Sequence, residues 1–164
     1  IKHIAELVDA TAAEVLGTCT FYEMFKMEPV GKYLVNICQT MSCALMGADD
    51  LMHHAEHTLG IKAGGTTPDG LITLEHIECN AACDYAPVVM VNWEFFDNKT
   101  PSSASNLVEA LRSGQTVEPT RGAALCRFRE TARTLAGLGT PAVDDSGPGP
   151  ATLAGLYASK EQPC

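Results

Sequence analysis

Four cysteines stand in two close pairs, Cys38 with Cys43 and Cys79 with Cys83, spaced C-x4-C and C-x3-C. Each pair lies where a short apolar run gives way to a loop. Four thiolates from two loops form the donor set of a tetrahedral metal ion or of an iron–sulfur cluster. Structural zinc usually takes its thiolates from C-x2-C knuckles, and disulfide exchange wants C-x-x-C. Neither pair has that spacing. A 2Fe–2S cluster needs two cysteines for each iron and suits longer loops of small residues, such as Asn80-Ala81-Ala82. C-x4-C also opens the plant-type ferredoxin motif, but there C-x2-C follows nearby, whereas here 35 residues intervene. Spacing favours 2Fe–2S and leaves zinc open. Of the seven cysteines, Cys19, Cys126 and Cys164 remain as structural or incidental thiols. An odd count argues against a secreted disulfide framework.

The elements that must carry these pairs are legible. Tyr33 to Ile37 reads as a buried strand delivering Cys38, and Cys43 opens a helix of about sixteen residues with Leu45, Ala48, Met52, Ala55 and Leu59 on its buried face. The N-terminal end of that helix would favour a thiolate. Gly47, one turn in, is expected to let the 79–83 loop approach. Gly60 ends the helix in a left-handed cap. Leu71 to Ile77 is a second strand, leading to Cys79. Val88 to Val91 is a central strand and Glu94 to Phe96 an edge strand, with Trp93 packing at the turn between them. Thr100-Pro101-Ser102 starts a helix whose inner face is Leu107, Val108 and Leu111, and Gly114 stops it. Gly64-Gly65 neither follows a strand nor opens a helix, so 64–70 is a turn and not a phosphate cradle. His53 and His57 are spaced i, i+4 but lack a third ligand, and with Asp49, Asp50 and Glu56 they read as a solvated face. Upstream, residues 2–24 are helical, with a capping box at Thr11 and Glu14. The aromatic run Phe21, Tyr22 and Phe25 packs this arm onto the domain or a neighbour.

The chain has 164 residues, is 46% hydrophobic and carries a formal charge of −9. That charge argues against a phosphate-binding nucleic-acid protein and suits a basic partner. No run approaches the ~18 apolar residues of a membrane span. The chain begins at Ile1 and shows no signal-peptide pattern. Composition shifts after Gly114: residues 1–114 hold six Lys and Arg against fifteen Asp and Glu, whereas 115–164 hold five of each together with five of the nine prolines. Arg121, Arg127, Arg129 and Arg133 cluster there, in a stretch that is either a solvated extension or an arm laid on a partner. Residues 137–149 read as a linker. The domain reading is a helical arm at 1–28, the cysteine-bearing domain at 29–114 and a Pro/Gly-rich extension at 115–164.

The runs H-I-A-E, T-F-Y-E-M-F, C-Q-T-M-S-C-A-L-M-G, G-I-K-A-G-G-T-T-P-D-G-L-I-T-L, E-C-N-A-A-C and A-P-V-V-M-V-N together resemble the small 2Fe–2S subunit of NADH:quinone oxidoreductase, respiratory complex I. The resemblance covers residues 2–114 and leaves the tail unexplained. It implies an α/β, thioredoxin-like fold: a small mixed sheet flanked by helices, with a helical N-terminal arm and an irregular C-terminal tail. It implies Cys38, Cys43, Cys79 and Cys83 as ligands of one 2Fe–2S cluster, and it puts Pro87 where such folds often have a cis proline beside the site, so a cis Ala86–Pro87 bond is a hypothesis that a trans bond would end. It further implies a one-electron carrier of low potential, with FMN and NADH on a partner flavoprotein subunit. No G-x-G-x-x-G follows a strand here, so the chain would be part of an oxidoreductase without itself binding NADH. Other peripheral-arm subunits would be further partners, with no nucleic acid and no direct membrane contact, on the cytoplasmic side of the bacterial inner membrane. Related subunits serve NAD-linked hydrogenases and formate dehydrogenases. A structural zinc adaptor and a free ferredoxin are the competing readings.

Overall fold

The computed structural model describes residues 1–140 and 149–161, so Cys164 and most of the expected linker lie outside the described residues. It divides into two compact units, Ile1–Val30 and Gly31–Cys164.

The first unit is a helical pair, α1 (Lys2–Val8) and α2 (Ala12–Phe21). Asp9, at φ 53°, turns the chain between them. The capping box forms as the sequence requires: Glu14 N–H donates to Thr11 Oγ1 at 3.2 Å, and Thr11 N–H donates to the Glu14 carboxylate at 2.8 Å. These bonds satisfy two amides that the helix itself leaves without partners. Ala5 and Val15 are the buried contacts, while Leu7, Leu16, Phe21, Tyr22 and Phe25 stay exposed. The three rings meet edge to face, at 5.0 Å for Phe21–Tyr22 and 6.2 Å for Tyr22–Phe25.

The second unit is built on a four-stranded sheet. Its strands are β1 (Tyr33–Cys38), β2 (Ile72–Ile77), β3 (Val89–Val91) and β4 (Glu94–Phe96), in the order β2-β1-β3-β4. β1 and β2 run parallel in the register Tyr33↔Ile72 to Cys38↔Ile77. A parallel pair needs a long crossover, which α3 (Met41–Leu45) and α4 (Ala48–Leu59) supply. β3 is antiparallel to both β1 and β4. Asn92 and Trp93 join β3 to β4 with positive φ at both residues, 49° and 74°, as a type I′ hairpin demands. α5 (Pro101–Arg112) starts on the Thr100 cap and packs against α4. Leu51, Met52, Ala55 and Leu59 from α4 meet Leu107, Val108 and Leu111 from α5 in one core with Val35, Ile37 and Leu74. Burying each large aliphatic side chain there contributes about 1.5–3 kcal/mol.

The single helix expected after Cys43 is two helices. Gly47 has φ 95° and is the left-handed N-cap of α4, so the chain bends there and Leu45 swings out to 82% exposure instead of joining the buried face. Nothing stands within 4 Å of a Cβ built at Gly47, so this glycine serves the bend and not a close approach of the 79–83 loop. The C-terminal stretch adds α6 (Phe128–Arg133), a π-type turn at Thr134–Leu138 and α7 (Pro150–Glu161). Its first part lies along the sheet edge: Thr120 N–H donates to Phe95 O at 2.8 Å, and Arg121 bridges Phe95. Among the described residues no helix is long and apolar enough to cross a membrane.

Candidate metal centre

The four cysteines meet beyond the carboxyl ends of the parallel strands β1 and β2, where α/β sheets commonly bind their ligands. Cys38 is the last residue of β1, and its N–H is fixed to Val88 O at 3.1 Å. Cys43 is the third residue of α3, a five-residue helix capped at Thr40. So short a helix has little macrodipole, and the expected stabilisation from a long helix is absent here. Cys79 follows β2, and Cys83 opens a 3-10 turn, Cys83–Tyr85. Between them Ala81 takes φ 57°, which aims its N–H at Cys79 Sγ at 3.3 Å. The loop ends at Ala86–Pro87, which is cis, in line with the hypothesis.

The sulfurs form two pairs. Cys79 Sγ and Cys83 Sγ are 3.5 Å apart, and Cys38 lies close enough to Cys43 to push its thiol up. Two thiolates on one tetrahedral metal at about 2.3 Å stand about 3.8 Å apart, so the exposed pair is already close to chelating geometry. Cys38 and Cys43 are each 3% exposed, whereas Cys79 and Cys83 are exposed. The site therefore has a dry half and a wet half. Burial, with the charges of Cys38 and Cys83 close by, pushes the Cys43 thiol up to about 11, against a smaller downward pull from the Val88 N–H. The Cys83 thiol is raised chiefly by its hydrogen bond to Cys79, while the Ser42 hydroxyl pulls it down. Crowded thiolates repel one another, and cationic metal reverses that repulsion. The donor set thus fits a metal group bound by two cysteine pairs. Among the described residues no three His, Cys, Asp or Glu side chains are grouped to hold one metal ion.

One N–H, that of Ala81, points at a sulfur, and the Val88 N–H and Ser42 hydroxyl lower the Cys43 and Cys83 thiols respectively. They stabilise negative charge that a bound cluster would bring. No Lys or Arg occurs in residues 33–61 or 63–98, and Glu78 and Asp84 flank the exposed pair.

The other candidates fall away from this site. His53, His54 and His57 are exposed along α4, and Glu56 beside them is occupied by Lys62 Nζ at 2.7 Å and Ala63 N–H at 3.0 Å. The 64–70 loop is a scaffold turn in which Asp69 accepts from Thr67 and the Leu71 N–H. Cys126 bonds Thr131 Oγ1 at 3.1 Å, and Cys19 is half-buried in the helical arm. Sequence reasoning missed two asparagines. Asn36, on the same strand face as Cys38, is buried with no hydrogen-bond partner on its amide. Asn92, also buried, accepts from Leu34 N–H at 2.7 Å and donates to Lys32 O at 3.3 Å and Cys126 O at 2.7 Å. An asparagine before the turn residue of a hairpin was the only available signal for the second.

The model of the thioredoxin-like [2Fe-2S] ferredoxin family matches residues 1–112. The E chain of the NADH-quinone oxidoreductase of Mycobacterium tuberculosis is 51% identical over 163 residues, covering 98% of this chain and 65% of that protein. NADH-quinone oxidoreductase subunit 2 of Thermus thermophilus is 40% identical over 119 residues, 72% of this chain and 66% of that protein. The chain spans about two thirds of the length of these relatives. In the crystal structure of an air-oxidized NAD+-reducing [NiFe]-hydrogenase, a region aligns with TM-score 0.60 at 19% identity, covering 68% of this chain and 20% of that one. At that identity the likeness is one of fold.

Proposed function

The chain belongs to the thioredoxin-like [2Fe-2S] ferredoxin family, and from that premise we propose that it is a one-electron carrier within an NADH:quinone oxidoreductase, holding one 2Fe–2S cluster on Cys38, Cys43, Cys79 and Cys83. The observation that carries the reading is the arrangement of four sulfurs as two pairs, one dry and one wet, with the Ala81 N–H turned toward the exposed pair. Such a cluster, when bound, accepts and returns a single electron. The chain's own residues set the terms of that exchange. Cys38 and Cys43 anchor the buried side and exclude water. Cys79 and Cys83 present the exposed side, where a donor can approach. The hydrogens of Ala81 N–H, and those of Val88 and Ser42 that pull the Cys43 and Cys83 thiols down, favour the more negative state, while the neighbouring acids Glu78 and Asp84 oppose it, so a low potential is expected. NADH and FMN belong to a partner flavoprotein subunit, which must split a hydride into single electrons. Attachment to the cytoplasmic face of the membrane runs through partner subunits.

The test is low-temperature EPR on the dithionite-reduced chain, with iron and zinc counted in the same sample. About two irons and a rhombic one-spin signal support the carrier. About one zinc, with no signal, would make the thiolates structural and leave an adaptor. On the same assay Cys43→Ser should lose or destabilise the cluster, while Cys19→Ser and Cys126→Ser keep it. Unchanged visible absorption in Cys43→Ser sinks the ligand assignment.

A further inference from the structure

The C-terminal stretch touches the metal centre's loop at two separate points, neither of which the cluster reading uses. Arg121 sits on the sheet edge and lays its guanidinium 5.0 Å above the Tyr85 ring and 4.2 Å above the Phe95 ring. It is held there by two parallel bonds to Asp97, from Nε at 2.9 Å and Nη2 at 3.0 Å. The neighbouring Asn98 N–H donates to Tyr85 O at 2.9 Å. Tyr85 is thus gripped at both ring and main chain. At Gly149 the main chain passes so close to the Tyr85 hydroxyl that any Cβ would collide with it. One turn on, in the first turn of α7, Thr152 Oγ1 donates to Asp84 Oδ2 at 2.9 Å. A helix start is where a carboxylate is favoured, since the first N–H groups lack partners.

Asp84 and Tyr85 belong to the same 3-10 turn as Cys83. Cys83 is one of the two exposed sulfurs, on a loop that has small residues and a left-handed alanine to hold it. We propose that the C-terminal stretch is a two-point clamp on the Cys83 turn, with Arg121 and Thr152 as positioning residues that fix this exposed ligand. The redox consequence rests on the cluster reading above; the clamp itself does not. Arg121 supplies a planar cation that lies flat on Tyr85 and also fits Asp97 with two bonds, which lysine cannot do. Thr152 supplies one hydroxyl that partly neutralises a carboxylate next to a ligand sulfur. Releasing either loosens the wet half of the centre and leaves the buried half in place.

The experiment uses the full chain carrying its cluster. Iron loss to a ferrous chelator is followed by visible bleaching, and midpoint potential and EPR g-values are read on the same samples. Amide hydrogen exchange over residues 79–86 is measured in parallel. Thr152→Val should bleach roughly 2- to 10-fold faster, the effect of one hydrogen bond, and Arg121→Gln, which loses two bonds to Asp97 and its place on Tyr85, at least as much, both with shifted potential and faster exchange at 79–86. Thr152→Ser, which keeps the hydroxyl, should restore wild-type values. Gly149→Ala, which pushes α7 off Tyr85, should behave as Thr152→Val does. Wild-type bleaching, potential and exchange in Thr152→Val overturn the clamp, and so does a Thr152→Ser that fails to rescue. Should the wild-type chain hold no iron, the carrier reading fails, and hydrogen exchange still decides the clamp: faster exchange in Thr152→Val upholds it, unchanged exchange refutes it.

Discussion

Replacing Asn92 by alanine tests the joint on which the second unit depends. Asn92 is fully buried, and its amide holds three main-chain groups: Leu34 N–H at 2.7 Å, Cys126 O at 2.7 Å and Lys32 O at 3.3 Å. Its own N–H donates to Leu34 O at 2.9 Å, a bond that alanine keeps. The substitution strands a buried amide on β1, at about 1–3 kcal/mol, and removes the Asn92 donor from the Cys126 carbonyl, which costs less, while Lys32 O keeps the Phe128 N–H at 3.0 Å. It also forces alanine into φ 49°, where asparagine is tolerated and alanine loses about 1 kcal/mol. The loss sums to about 3 kcal/mol, or a fall of about 6–12 °C in Tm for a chain of this size. Thermal scans by Trp93 fluorescence and circular dichroism measure it, with hydrogen exchange at Leu34 as the local readout. Asn92→Gly removes the backbone penalty alone and should recover about 1 kcal/mol. Asn92→Ala losing under about 1 kcal/mol, with Leu34 still protected, would refute the argument that this amide is the joint.

Gly47→Ala should destabilise by about 1–2 kcal/mol because φ 95° is left-handed, and Gly47→Asn by less; a Tm unchanged by Gly47→Ala would mean that no bend separates α3 from α4. Leu51→Ala should cost about 2–5 kcal/mol, while Leu45→Ser stays within about 0.5 kcal/mol, because the first is fully buried and the second is 82% exposed; chemical denaturation ranks the two. Glu56 has its carboxyl held below the usual 4.5, chiefly by the Lys62 ammonium and the Ala63 N–H. A lowered native value means its contribution is present above pH 4.5 and fades as pH falls through that lowered value. Glu56→Gln should therefore flatten the acid side of the stability profile, and an unchanged slope between about pH 5 and 3 would count against the pairing.

Local patterns in the sequence settled much of this protein. Thr11 and Glu14, Thr100 and Gly60 mark helix ends because caps satisfy amides and carbonyls within a few residues of themselves. Strands β1 and β3 show as largely apolar runs because they are central and buried on both faces, whereas the edge strand β2 interleaves Thr73, Glu75 and His76 with its apolar residues. The cysteine pairs stand out because chelation by a pair needs only a short loop. What failed was local in appearance and tertiary in cause. Leu45 keeps helical spacing with Met52 and Ala55, yet Gly47 breaks the helix between them, since a glycine inside a helical pattern is compatible with either continuity or a left-handed bend. Asn92 gives no sign in sequence that it will bond residues lying 58 and 34 positions away. Arg121, Gly149 and Thr152 sit in a stretch that reads in sequence either as a solvated extension or as an arm laid on a partner, and their contacts with Tyr85 and Asp84 arise only after β4 has fixed the sheet edge on which residue 121 lies. The sequence by itself determined the two close cysteine pairs and the strands that lead to them, because those follow from chemistry over a few residues. Only the tertiary structure decided which sulfurs are dry, where the crossover bends and what holds the exposed loop, because each depends on groups far apart in the chain meeting at a few ångströms.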